Sequence, residues 1–387
     1  MNSFLIVFAI ILYFLNKDKS VDVANKNYVL LMTILLIVVS GLRHEGVGND
    51  TYAYKMMFDQ TGLERWPNLL NNFWTNYIHP TDNGVKDPGY KLFSKFIYVF
   101  VPEYRFFLFV VASILLVPLG LFVYRNSRRL ETTMFFYVFY ITLFYHYLPN
   151  SAVRQSLTFG IVLIGYLFLI KRRILIFIAH VILGSLIHQS CLLVLILIPA
   201  VYISNSVHIY IYKFCILLFL LFLISPDWLA VFFMDRNEIY DTFLSGGYYV
   251  GTQGKPVMVL LLFLGLYILG WMGINKQVRS NDPHFRLFCV GSALVMVFLP
   301  LIWVSPALLR IISYFGPFMG IIVGDALCVL SRGRLLRICI VAIFLLHSLT
   351  SNHYKFMWEE MQLHERYYSY VISNPEKEKS NKQIILS

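Results

Sequence analysis

Three arginines stand where apolar sequence has least use for them. Arg43 ends one apolar run and Arg154 opens another. Arg310 lies about one helical turn inside a third, between Leu308, Leu309, Ile311 and Ile312. A cation within a membrane span costs a few kcal/mol, so such residues mark functional sites by default. The bland reading is an arginine that snorkels to the interface. Asp50, Asp87, His146 and His188 share the same edge. For each histidine alone, an interfacial hydrogen bond is the simpler reading. Taken together, these groups suit an anionic, lipid-linked substrate. Arginine grips phosphate oxygens with a bidentate fork and keeps its charge. It would stabilise charge developing on a leaving pyrophosphate. A carboxylate or His188 could accept the proton of an attacking hydroxyl.

The elements that must hold these residues follow from composition. Of the 387 residues, 58% are hydrophobic and 14% charged, against about 45–50% and about 25% in soluble domains. The apolar residues fall in blocks of roughly 15–23, long enough to cross a bilayer as helices. Backbone groups in lipid must be paired internally, and these blocks lack the alternation of a barrel strand. The expectation is an all-α, polytopic membrane bundle of about twelve spans. They lie near 3–15, 27–42, 104–124, 132–148, 154–170, 174–188, 190–204, 208–225, 256–274, 286–303, 307–329 and 335–350. The short apolar stretch near 92–101 is placed at the interface rather than across the membrane.

Sidedness comes from charge. The clusters Lys17/Lys19/Lys26, Arg125/Arg128/Arg129, Lys171/Arg172/Arg173, Lys276/Arg279/Arg286 and Arg332/Arg334/Arg337 are separated by two, two, four and two expected spans. Every count is even, so all five fall on one side, the cytoplasm by the positive-inside rule. The net charge of +11 therefore reads as orientation and not as nucleic-acid binding. Residues 1–350 form one membrane domain on this reading, with external segments near 43–103 and 226–255 and an external tail over 351–387. The first apolar run reads as a retained helix, because lysines follow it and none precedes it.

Other features have structural readings. The five cysteines lie in apolar blocks without metal-like spacing. Gly316, Gly320 and Gly324 make a small-residue stripe for helix packing. Asp325 is near basic residues Arg332 and Arg334 and is expected to pair with one of them. The aromatic content of 17%, with 26 tyrosines, serves sugar stacking or the interfacial belt equally well. There is no Walker sequence and no dinucleotide glycine fingerprint, which weighs against nucleotide-driven chemistry.

Five short motifs, in order, carry a resemblance. Gly41-Leu42-Arg43-His44-Glu45-Gly46-Val47-Gly48-Asn49-Asp50-Thr51-Tyr52 resembles the "GLR…VG.D…Y" signature of the EpsG/Wzy-type polysaccharide polymerases. Asp87-Pro88-Gly89-Tyr90 is similar to that family's acidic-x-Gly-Tyr element, and Asn150 to Gln155 to its "R-Q" helix. His188-Gln189-Ser190 resembles its "H-x-S", and Arg310 to Phe315 its late "R…Y-F" segment. The resemblance covers about residues 40–320.

It implies an inner-membrane O-antigen or exopolysaccharide polymerase with a long periplasmic loop segment and periplasmic termini. Such an enzyme joins undecaprenyl-pyrophosphate-linked oligosaccharide repeat units, which are both donor and acceptor. It implies no metal and no cofactor. A chain-length regulator and a flippase are the further partners to expect, beside the bilayer itself. Carried over by position, Asp50, Arg154, His188 and Arg310 are the catalytic candidates. Arg43, Asp87, Tyr90 and Gln155 are the substrate-binding ones.

Two rivals use the same lipid-linked substrate. A flippase would spread charge along a cavity reached from both faces, whereas here it gathers at one edge. An O-antigen ligase would pass the glycan to a lipid A core. An acyltransferase acting through His188 would leave the arginines idle.

Overall fold

The computed structural model describes residues 2–44, 47–48, 51–78, 88–145, 147–202, 208–224, 257–275, 284–304, 309–330 and 344. Among them regular structure is helical throughout. The helices are α1 (Asn2–Asn16), α2 (Val21–Gly41), α3 (Thr51–Leu63), α4 (Trp66–Ile78), α5 (Pro88–Phe100), α6 (Tyr104–Asn126), α7 (Leu130–Leu143), α8 (Val153–Ile170) and α9 (Ile174–Ser185). Two 3-10 helices follow, Gln189–Leu197 and Pro199–Val201. Then come α10 (His208–Ile224), α11 (Val257–Asn275), α12 (Phe285–Phe298), α13 (Leu301–Val304), α14 (Leu309–Ser313) and α15 (Gly316–Leu330). Helices α2, α6 and α8 are each long and apolar enough to cross a membrane.

Helix α6 packs between α2 and α8, while α7 packs on α15 and α1. Small residues set the spacing. A Cβ on Gly160 of α8 would lie 2.0 Å from the Ile114 carbonyl of α6, so the two backbones nearly touch there. The Gly316, Gly320 and Gly324 stripe seats α15 on α7, against Phe144, Phe136 and Phe139, and Thr132. Polar side chains then tie the helices together. Tyr28 donates to the Ala9 carbonyl at 2.9 Å. The hydroxyls of Thr33 and Tyr137 lie 3.1 Å apart. Thr132 donates to buried Asp325 at 2.7 Å. Thr132 is thus one partner of Asp325; Arg332 and Arg334 lie outside the described residues.

Two stretches differ from the sequence expectation. The run expected to span at 190–204 opens in the nine-residue 3-10 helix Gln189–Leu197, which at about 2 Å per residue reaches only about 18 Å. Pro199, without an N–H, begins the second 3-10 piece. The run expected to span at 307–329 is broken at Tyr314 and Phe315. Pro317 has no N–H to offer the Ser313 carbonyl. The Ser313 hydroxyl takes the Arg310 carbonyl instead, at 2.6 Å. Arg310 therefore sits on its own short helix before α15 and not within a continuous span. The segments 226–255 and 351–387, and almost all of 335–350, lie outside the described residues.

The expected external segment near 43–103 contains α3, α4 and α5, with α5 packed on both others. A second apolar core joins it to the bundle. Tyr54, Phe58, Tyr90 and Ile97 from α3 and α5 pack with Phe107, Leu108 and Val111 of α6 and with Val153 and Leu157 of α8. Burying each such side chain contributes about 1.5–3 kcal/mol. The same core takes in Tyr90 and Val153, one residue from each of two sequence motifs.

Candidate functional site

Arg154 lies in the first turn of α8. Its Nε donates to the Tyr54 hydroxyl at 3.3 Å. Its guanidinium carbon stands 5.7 Å from the centre of the Tyr54 ring. The ring fixes the plane of the guanidinium, and the hydroxyl occupies one of its donors. Tyr54 meets Tyr90 edge to face, with ring centres 5.5 Å apart. Burial holds the Tyr90 phenol well above its ordinary pKa, and the neighbouring Tyr104 and Tyr54 raise it further. Tyr90 is therefore a neutral wall of this corner.

The next residue of the "R-Q" pair points about 100° further round the helix. Gln155 is buried, and its Nε2 donates to the Arg310 carbonyl at 2.6 Å and to Ser313 Oγ at 3.1 Å. Adjacent residues of α8 thus hold one arginine and grip the backbone of another. The Arg310 guanidinium lies near the neutral Tyr147 phenol. Tyr314, four residues after Arg310, reaches Ser190 hydroxyl to hydroxyl at 3.0 Å. Its carbonyl accepts from Tyr166 at 2.9 Å. The late "R…Y-F" segment is therefore clasped from two sides, by α8 and by the "H-x-S" turn.

His188 is half-buried in that turn and precedes the first 3-10 helix, its N–H donating to the Gly184 carbonyl at 3.0 Å. The same turn receives α5. Gly89 N–H donates to the Leu186 carbonyl at 3.0 Å. A Cβ on Gly89 would lie 2.2 Å from that oxygen, so only glycine allows the approach. The acidic-x-Gly-Tyr element is thus docked on the residues just before His188.

Gly48 plays the corresponding part for the first motif. Its φ of +121° is a conformation that side chains disfavour. A Cβ there would fall 1.9 Å from the Asn150 carbonyl. Thr51 donates to that same carbonyl at 3.1 Å, and Tyr104 donates to the Thr51 carbonyl at 3.2 Å. The "VG.D…Y" run is therefore fastened to the chain four residues before Arg154.

Arg43 follows α2 and is 6% exposed. Its Nη1 donates to the Ser40 carbonyl at 2.8 Å. Its Nε and Nη2 are buried without a hydrogen-bond partner. Ser40 is fixed in turn by the Tyr145 hydroxyl at 2.8 Å, and the phenols of Tyr104 and Tyr145 lie near Arg43. Two buried amide oxygens, Asn150 Oδ1 and Gln155 Oε1, are also unpartnered.

Contacts thus connect Arg154, Tyr90, Gln155 and Arg310, and seat His188 two residues from the Gly89 contact. Arg43 lies apart from these contacts, held on the Ser40 carbonyl near Tyr145 and Tyr104. Asp50, Asp87 and His146 lie outside the described residues. Sequence reasoning missed Tyr54 and Tyr147. Tyr54 offered one cue, as it falls two residues beyond the first motif. Among the described residues no group of three His, Cys, Asp or Glu side chains converges as a metal site.

The sequence matches the profile of the EpsG family over residues 26–370. No curated protein and no solved structure gives a significant match.

Proposed function

The chain belongs to the EpsG family, a membrane family with a polysaccharide-polymerase type of role, and we propose that it joins undecaprenyl-pyrophosphate-linked oligosaccharide repeat units into O-antigen or exopolysaccharide. Transfer takes place at the periplasmic face of the inner membrane. The observation that carries this reading is the coupling of two arginines through one dipeptide: Arg154 on Tyr54, and Gln155 on the Arg310 carbonyl.

The chemistry follows from those groups. The growing glycan is the donor, held through its pyrophosphate. A hydroxyl oxygen of the incoming unit attacks the anomeric carbon, and the bond from that carbon to the pyrophosphate oxygen breaks. The pyrophosphate leaves with the electron pair. Arg154 and Arg310 supply fixed positive charge where the leaving group gains its negative charge. Arg43 offers Nε and Nη2, the paired edge that fits two phosphate oxygens. The hydroxyl proton passes to a carboxylate, Asp50 or Asp87, or to His188. Asn150 Oδ1 and Gln155 Oε1 are acceptors for sugar hydroxyls.

The test is the surface-glycan ladder of a deletion strain complemented with Arg154→Ala or Arg310→Ala. The expected result is single repeat units on the surface glycolipid, with the variant protein present in the membrane. Long chains at wild-type abundance would exclude the site assignment. Loss of even single-unit glycan in the deletion strain would point to a flippase or a ligase.

A further inference from the structure

Helix α5 is apolar on both faces: Tyr90 and Ile97 point into the second core, and large side chains also point outward. Its inner face holds Lys95, 9% exposed, whose Nζ donates to the Gly62 carbonyl at 2.6 Å, and beside it the fully buried Ser94. Its outer face holds Phe96, Val99 and Phe100, which are 53%, 57% and 68% exposed. These three recur at helical spacing on one face, and the two phenylalanine rings touch edge to face at 5.0 Å. Burying a lysine while exposing three large apolar side chains is unfavourable if water lies outside, and favourable if hydrocarbon does.

The chain direction says which. Three residues after α5 ends, α6 begins, one of the helices long and apolar enough to cross a membrane. Its exposed stripe includes Phe106, Val117 and Leu121. The α5 face continues toward that stripe through Pro102 and the exposed charges of Glu103 and Arg105, groups that belong at headgroup depth.

We propose that α5 lies in the membrane surface, with Phe96, Val99 and Phe100 among the lipid acyl chains of the leaflet where α6 begins. An interfacial helix of this kind sinks about 5–10 Å into the headgroup boundary. The inference rests on α6 crossing the membrane and not on the polymerase reading. Its consequence reaches the site, because α5 carries Gly89, docked on Leu186, and Tyr90, packed on Tyr54. The bilayer then braces one wall of the arginine corner.

The experiment is spin labelling of the full chain in liposomes, its five native cysteines replaced, with single labels at positions 96, 100 and 59. Position 59 is the exposed Asp59 on α3 and serves as the aqueous reference. Relative to position 59, labels at 96 and 100 are expected to shift toward collision with oxygen, which concentrates in lipid. They should shift away from collision with a water-soluble nickel chelate. Nickel accessibility at 96 and 100 equal to that at 59 would overturn the proposal. Protection from both reagents would overturn it too, since the face would then be covered by protein. Should Phe96→Cys prove unstable, Val99→Cys reads the same face.

Discussion

The Gln155 side chain and the Arg310 carbonyl meet at 2.6 Å, although 155 residues separate them in sequence. That one bond turns two weak sequence motifs into a single site. It also sets the first prediction. Gln155→Ala removes a buried donor shared between a carbonyl and a hydroxyl, which costs about 1–3 kcal/mol. The protein should lose several degrees of thermal stability in detergent, and chain extension should fall. Gln155→Glu keeps the shape but sets an acceptor against the carbonyl. It should extend chains no better than Gln155→Ala, as read by the length distribution of surface glycan.

Tyr54 separates two contributions to Arg154. Tyr54→Phe keeps the ring under the guanidinium and removes the hydroxyl acceptor. A hydrogen bond from a charged group is worth about 1.5–3 kcal/mol, so polymer formation should fall roughly ten- to a hundredfold. Tyr54→Ala also loses the ring, worth a further 0.5–2 kcal/mol or about that order, and should be the weaker variant at matched membrane level. Equal activity of the wild type and Tyr54→Phe would separate Tyr54 from the site.

Glycine contacts give a graded stability series. Gly48→Ala and Gly89→Ala drive a Cβ into backbone carbonyls at 1.9 Å and 2.2 Å. Backbone cannot swing aside as a flexible side chain does, so both variants should reach the membrane in reduced amount and extend no chains. Gly265→Ala meets nothing within 4 Å on α11. It should leave activity unchanged and stabilise the helix by about 0.5–1 kcal/mol. Quantitative immunoblotting of membranes together with thermal melting checks all three.

Asp325 provides the control for structure without chemistry. Thr132→Val removes the hydroxyl that donates to it at 2.7 Å, between α7 and α15. A buried carboxylate losing a donor costs about 1–3 kcal/mol or more. Melting temperature should drop while the folded fraction still extends chains to the wild-type length. A shortened ladder at full stability would assign this pair a role in the reaction.

The sequence carried some of this plainly. Arg43, Arg154 and Arg310 were legible because a cation at an apolar edge is costly, and cost is visible in one dimension. Gly48 and Gly89 were legible as parts of motifs, and the structure gives their reason in two close carbonyl contacts. The stripe at Gly316, Gly320 and Gly324 was legible because its spacing is local. Tyr54 was not, since its value to Arg154 depends on a contact 100 residues away. The break at Tyr314 and Phe315 was hidden by unbroken hydrophobicity, which reports burial and not backbone geometry. For the same reason the 3-10 helix at Gln189–Leu197 read as a membrane span. The short length of 92–101 points to the interface, but the burial of Lys95 beside exposed Phe96, Val99 and Phe100 was not legible, because it depends on the contact with Gly62.

The central claim is that this chain by itself elongates a lipid-linked glycan. The most direct measurement uses the purified protein in liposomes, with the undecaprenyl-pyrophosphate-linked repeat unit as sole substrate, and follows glycan length and free undecaprenyl pyrophosphate. The wild-type protein should give a ladder of multiples of the unit, with one undecaprenyl pyrophosphate released for each new linkage, and Arg154→Ala should give none of either. A unit that stays monomeric before the folded wild-type protein, or crosses the liposome membrane unchanged, would contradict it.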